Sequence, residues 1–207
     1  MQYGIVSHGP SVSFPDGDPF LAGKSDDPDI IVHLGGGFEP HPDKTAVIVE
    51  VDTDFLGVHT GEEEGKEGSN VVGFARFIGP SGPSALIELV RQPLTKTSAL
   101  DAARAVFEAA GLTVVVSADQ PGRIIDRLIR PKYNAALRFL DEGLASAEAM
   151  DLTCRLGLGY AKGPIEAVTG SGLARHHDIS RAIFDVTGQP GYAPARRSSV
   201  AKARENL

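Results

Sequence analysis

The stretch PGRIIDRLIRPKYNAALRFLDEG, residues 121–143, decides the fold. In it Ile124, Ile125, Leu128, Ile129, Tyr133, Leu137 and Leu140 recur at helical spacing. Pro131 lies inside this predicted helix. It lacks an amide proton and crowds the carbonyl four residues back, so a kink is expected there. Gly143 closes the segment. The pattern stays helical downstream. Ser146 can cap a second helix that carries Met150 and Leu156 and ends in the glycines of LGLG, 156–159. Pro164 suits the first turn of a third. A fourth runs from about Leu173 to Thr187, stopped by Gly188 and Pro190, and the basic tail ARRSSVAKAREN is a terminal helix or frayed chain.

Before residue 118 proline, glycine and short β-rich runs dominate. Ile30–Leu34, Ala46–Val51, Val71–Phe77, Ala85–Val90 and Thr113–Val116 read as strands. One long helix signal interrupts them, SALDAARAVFEAAG, with Ser98 as its cap and Gly111 as its end. Buried runs with an intervening helix predict an α/β sheet that is at least partly parallel. The stretch HTGEEEGKEGSN, 59–70, reads as a loop or one short helical turn, and Thr60 to Glu63 fit a capping box.

With 207 residues, 42% hydrophobic and 23% charged, the chain makes one sizeable domain or two small ones. A net charge of −7 argues against broad contact with nucleic acid. The start, MQYGI, shows no signal-peptide pattern, and no apolar run approaches the roughly 18 residues of a membrane span. The single cysteine, Cys154, excludes an internal disulfide and reads as a small apolar residue, so a cytoplasmic protein is expected.

Three candidate sites emerge. Gly35-Gly36-Gly37 after a strand, followed by Glu50 or Asp52, has the outline of a dinucleotide turn. Pro40 stands where the last glycine belongs, and the seven residues 38–44 leave no room for a helix, so a tight loop is the expectation. His8, His33, His41 and His59 are scattered without metal-ligand spacing, and His176 and His177 fall beside an apolar stripe as packing or interface residues. Glu88 is the third, a carboxylate inside the strand ALIELV that needs a partner.

From about Ser84 to Pro194 the chain resembles the 3-hydroxyacyl-CoA dehydrogenase family. The residues that carry the resemblance are the glutamate strand, the PG opening the long helix, the RP…N.AL within it, D…LGLGY..GP, and P.YAP near the end. The resemblance implies a contracted Rossmann-like α/β domain at 1–117. An all-α C-terminal domain follows at 118–207, one that usually makes the dimer interface and one wall of the acyl pocket. The chain looks like the second half of the long members of the family.

The same resemblance marks departures. The family's NAD-binding GxGxxG segment has no counterpart. Its catalytic histidine, about a dozen residues before the glutamate, falls on Arg76 or Ala75, and the asparagine of its PGFxxNR-like motif falls on Asp126. Glu88 and Asp126 are therefore the candidate catalytic residues, and Arg76 and Asn134 the candidate substrate-binding residues. Arg76 is the expected counter-charge for Glu88. The expected function is a non-catalytic or auxiliary family subunit with no cofactor. It would form a homodimer, or pair with an active dehydrogenase, through the helical domain, and acyl-CoA is a candidate ligand. The alternatives are an NAD-dependent 3-hydroxyacyl-CoA dehydrogenase with relocated residues and a cofactor-free acyl-thioester enzyme using Glu88 or Asp126.

Overall fold

The computed structural model describes residues 2–23, 25, 27–61, 70–205 and 207. It divides into two compact units, one of residues 1–77 and 83–123, the other of 78–82 and 124–207. The division falls after Arg123, past the end of the last strand at Ala118. Glu62 and Glu63, the acidic end of the capping box read at Thr60–Glu63, lie outside the described residues.

The first unit is a six-stranded sheet whose spatial order follows the chain: β1 (Gly4–Ser7), β2 (Ile30–Leu34), β3 (Ala46–Glu50), β4 (Val71–Gly79), β5 (Gly82–Arg91) and β6 (Thr113–Ala118). β1 to β4 pair in parallel, as do β5 and β6. Only Pro80 and Ser81 separate β4 from β5, a connection that joins neighbours only as an antiparallel hairpin. The sheet is therefore mixed. β2 and β3 are buried at every position, as strands covered on both faces must be. One face packs Val32, Ile48, Val72, Phe74, Ile87 and Leu89 against α2 (Thr97–Ala109) and the stacked rings of Phe14, Phe20 and Phe107. The other packs Val47, Val49, Val71 and Val90 against Leu56, which immediately precedes the one-turn α1 (Gly57–Thr60). β1 escapes the sequence pattern because its four residues, GIVS, are too short to show a period. Ser98 does not cap α2. The cap position is Lys96, and Ser98 already lies within the helix.

The second unit contains α3 (Arg123–Asp141, its first residue apart), α4 (Ala147–Leu158), α5 (Pro164–Gly170), α6 (Leu173–Thr187) and α7 (Arg196–Arg204), so the tail is helical. Ser146 caps α4 by accepting the Ala149 amide at 3.2 Å, and Gly159 ends it in the left-handed region. Pro131 does lie within α3. The carbonyl that Pro131 leaves without its helical donor, that of Arg127, accepts the Tyr192 hydroxyl at 3.0 Å. The aromatic of the P.YAP segment thus repairs the proline's defect.

Inside this unit a buried polar chain ties α3 to α6. Arg130 pairs with Asp126 (Nη2–Oδ1 2.5 Å) and donates to His176 Nδ1 at 3.2 Å. Because arginine only donates, Nδ1 accepts, and His176 Nε2 carries the proton it gives to Asn134 Oδ1 at 3.0 Å. Asn134 Oδ1 also accepts the Ala195 amide, and its Nδ2 donates to the Gly191 carbonyl at 3.1 Å. Burial, then Arg130 and His177, push His176 down to about 3, so it is a neutral structural imidazole.

Candidate functional site

Glu88 sits near the carboxyl end of β5, opposite Val115 of β6, and is 3% exposed. Strand alternation puts it on the face of Val90. On β4, a Cβ built at Gly73 would lie 3.0 Å from Val90 and 3.3 Å from Val51, so Gly73, and with it Ala75, shares that face. Arg76 points to the other one. Its guanidinium lies 5.0 Å over the Phe14 ring, donates to Ser84 O at 2.7 Å and Ser13 O at 3.3 Å, and approaches Asp18 at 3.6 Å. The expected Arg76–Glu88 pair is thereby corrected: one step along a strand reverses the face, and Arg76 pairs with Asp18.

A cation that Glu88 acts on is Arg123, 3% exposed and directly after Gly122. Arg123 occupies the left-handed region at φ 43°, where a side chain is strained. It donates to Gln120 O at 2.6 Å and to Asp54 O, while its Nε is buried without a partner. Burial pulls its pKa below the ordinary arginine value, and Asp119, Glu88, Asp52 and Asp54 oppose that pull. Asp119, just past β6, accepts the amides of Leu56 (2.7 Å) and Gly57 (2.9 Å), and Gln92 Oε1 accepts the Thr60 hydroxyl at 2.9 Å. A cavity of about 410 Å³ opens here, lined by Phe55, Gly57, Val58, Gln92 and Asp119 among others. His59 is the imidazole that senses this cluster. Burial lowers its pKa, and Asp54 and Asp119 oppose the shift. The chemistry of the group is that of an ion network around a buried guanidinium.

Of the remaining candidates, Asp126 is the ion-pair partner of Arg130, and Asn134 is fully buried with both ends of its amide engaged inside the helical unit. Asn134, expected to bind substrate, is thus fully buried and presents no surface in this structure. Sequence reading missed Arg123 altogether. The available signal was a charged residue at the position after PG, where the family motif carries an aromatic.

The histidines that look scattered are brought together. His8 Nε2 lies 2.9 Å from His33 Nδ1, the two rings stack, and His41 also stacks on His33, with ring centroids 5.6 Å apart. His33 is fully buried, and burial, His8 and His41 push it down to about 4, with Glu39 opposing. Its Nε2 and that of His41 lack hydrogen-bond partners. Among the described residues no cluster has the arrangement of a metal site.

The turn beside these rings does not fit a dinucleotide. Glu50 accepts Ser11 Oγ at 2.7 Å, the Ser13 amide at 2.8 Å and the Gly35 amide at 2.9 Å, so a carboxylate already holds the donors that a pyrophosphate would use. A Cβ on Gly35 would fall 2.5 Å from the Gly9 backbone, which shows how tightly the two turns are pressed. Between β1 and β2 the described residues form only the short 3₁₀ turn Pro19–Ala22, with no helix N-terminus to face a phosphate.

Comparison with known proteins agrees with this architecture. Residues 122–205 match the family profile of the 3-hydroxyacyl-CoA dehydrogenase C-terminal domain. A 3-hydroxybutyryl-CoA dehydrogenase of Bradyrhizobium diazoefficiens is 27% identical over 151 residues, 73% of this chain and 51% of that protein. The human mitochondrial hydroxyacyl-coenzyme A dehydrogenase is 33% identical over 109 residues, 53% of this chain and 33% of that protein. The solved (S)-3-hydroxybutyryl-CoA dehydrogenase of Ralstonia eutropha shares the fold with a TM-score of 0.72 at 20% identity, covering 86% of this chain and 66% of its own. The chain thus spans about half, or less, of these curated relatives.

Proposed function

We propose that the chain is an auxiliary member of the 3-hydroxyacyl-CoA dehydrogenase family, a reading supported by the match of residues 122–205 to that family's C-terminal domain. It would keep the sheet and helical domain without the family's NAD-dependent hydride transfer. The face of the sheet that holds Glu88 carries this reading. The β4 position on that face is Ala75, which has no basic group, and the charge beside Glu88 is the buried Arg123. A histidine–glutamate dyad needs a neutral imidazole within hydrogen-bond reach of the substrate hydroxyl. The Glu50 clamp supports the same reading for the nucleotide end.

The test is direct. Mixing the intact chain with NADH and acetoacetyl-CoA is expected to give neither NADH oxidation nor micromolar NADH binding by calorimetry. Turnover, or such binding, would sink the proposal. One observation favours a second reading, a dehydrogenase with a relocated base: Asp54 and Asp119 both act on His59. Turnover that disappears in His59→Ala would establish it. Glu88 and Asp126 each have a guanidinium neighbour, so a cofactor-free enzyme using either as a neutral acid finds no support.

We expect the helical unit to associate with another protein surface, a second copy first of all. Leu128, Leu152, Leu156 and Leu158 are 72%, 49%, 80% and 63% exposed, apolar area that single surface leucines do not account for. Light scattering should report a mass of twice 21.8 kDa, and Leu152→Glu with Leu156→Glu should halve it. A monomeric wild type at micromolar concentration would rule out the homodimer.

A further inference from the structure

We propose that the helical unit carries a binding site for a small organic phosphate, formed by Lys132, Lys162, Tyr133, Tyr160 and Ser81. The proposal stands on observations separate from the dehydrogenase reading and does not depend on it.

These residues line a cavity of about 480 Å³, completed by Pro80, Gly159, Ala161, Pro164 and Ala167, a volume in the usual range for small-molecule sites. The lining contains two ammonium groups, two phenols and one aliphatic hydroxyl, but no carboxylate. Its side chains offer donors, and the ligand that answers them is an anion.

Lys132 is the centre of the argument. Its Nζ rests 4.3 Å from the centroid of the Tyr160 ring and 5.5 Å from that of Tyr133, held by cation–π attraction. Of the three lysines in this unit, Lys162 lies 4.0 Å from Glu166, and Lys202 pairs with Asp178 and Glu205. Among the described residues Lys132 has no carboxylate within ion-pair distance. Glu166 is itself shared between two cations, its other oxygen being 3.2 Å from Arg155. Two ammonium groups at one cavity suit the two charges of a phosphate monoester, and the volume leaves room for the organic group it carries. The phenol of Tyr133, whose pKa is raised by burial, stays protonated as a donor.

The probe is adenosine monophosphate, titrated into the intact chain by calorimetry, with inorganic phosphate and adenosine as its two halves. Saturable submillimolar binding is expected, tighter than either half, weakening as salt rises. Lys132→Gln should lose at least about tenfold in affinity, a difference of about 1.4 kcal/mol. Lys162→Gln should lose less, Lys132→Arg should retain binding, and Lys96→Gln, in the other unit, should change nothing. Circular dichroism of each variant separates lost binding from lost fold. Because the chain has no tryptophan and four tyrosines, displacement of the Lys132 ammonium is also readable in tyrosine emission with inorganic phosphate. The absence of saturable heat, adenosine binding as tightly as its phosphate, or a Lys132→Gln variant that is folded and binds normally would each overturn the proposal. Inorganic phosphate binding as tightly as the monoester would overturn its organic part.

Discussion

Arg123→Ala should destabilise the protein by about 3–5 kcal/mol, the usual cost of removing one partner from a buried charge network. For a chain of this length that lowers the melting midpoint by roughly 10 °C. The reason is that Glu88, at 3% exposure, and Asp119, Asp52 and Asp54 all act on this one guanidinium. Without it a buried carboxylate faces other carboxylates. Two companion variants separate charge from geometry. Adding Glu88→Gln to Arg123→Ala should restore part of the loss, because a neutral amide does not need the missing cation. Arg123→Gly should be milder than Arg123→Ala by about 1 kcal/mol, since the residue sits at φ 43° and glycine occupies that region without strain. A melting curve for Arg123→Ala that overlays the wild type would mean that the network contributes nothing to folding.

The second large effect is a loss of stability in acid that begins unusually early. His33 and His176 have folded pKa values of about 4 and about 3 against 6.5 for a free imidazole. Above pH 6.5 both are neutral, folded or not, and neither contributes to the pH dependence. As pH falls below 6.5 the unfolded chain takes up two protons that the folded one refuses, so unfolding gains ground. Each refused proton is worth up to about 1.4 kcal/mol per pH unit, until the fall ends near pH 4 for His33 and near pH 3 for His176. Denaturant midpoints measured between about pH 7 and about pH 5 isolate the histidines from most carboxylate titration. His176→Gln should remove one of the two slopes, because its amide does not titrate. An unchanged slope in that variant would show that His176 does charge within the fold.

The helical half was legible in the sequence because its signals are local. Ser146, Gly143, Gly159, Pro164 and Gly188 act within a turn of the elements they bound, and each marks a boundary in the structure. The sheet strands were equally plain where burial made them continuous, as at Ile30–Leu34 and Ala46–Glu50. The contents of the candidate site were not. Which cation meets Glu88 depends on strand phase: Ala75 and Arg76 are adjacent in sequence and opposite in space. The winning cation, Arg123, lies 35 residues further along the chain from Glu88, a separation across which no spacing rule operates. The histidine stack has the same origin. His8, His33 and His41 meet because β1 and β2 pair side by side, and β1 is too short to announce itself.

Asp151 shows why part of the chain's resemblance is silent about chemistry. Its two carboxylate oxygens accept the amides of Ile165 and Glu166 at 2.8 and 2.9 Å, closing the start of α5 from α4. A Cβ at Gly163 would lie 2.2 Å from Asp151 Oδ1, so the glycine is what lets the carboxylate reach. The aspartate, the last glycine and the proline of D…LGLGY..GP are thus a clasp between two helices. A clasp of this kind is architecture rather than chemistry. Its work is to hold the start of α5 against α4, which asks nothing of the groups at the end of the sheet. Likeness carried by the clasp is likeness of scaffold, and the chemistry of the chain has to be read at positions such as Ala75, Glu88 and Arg123.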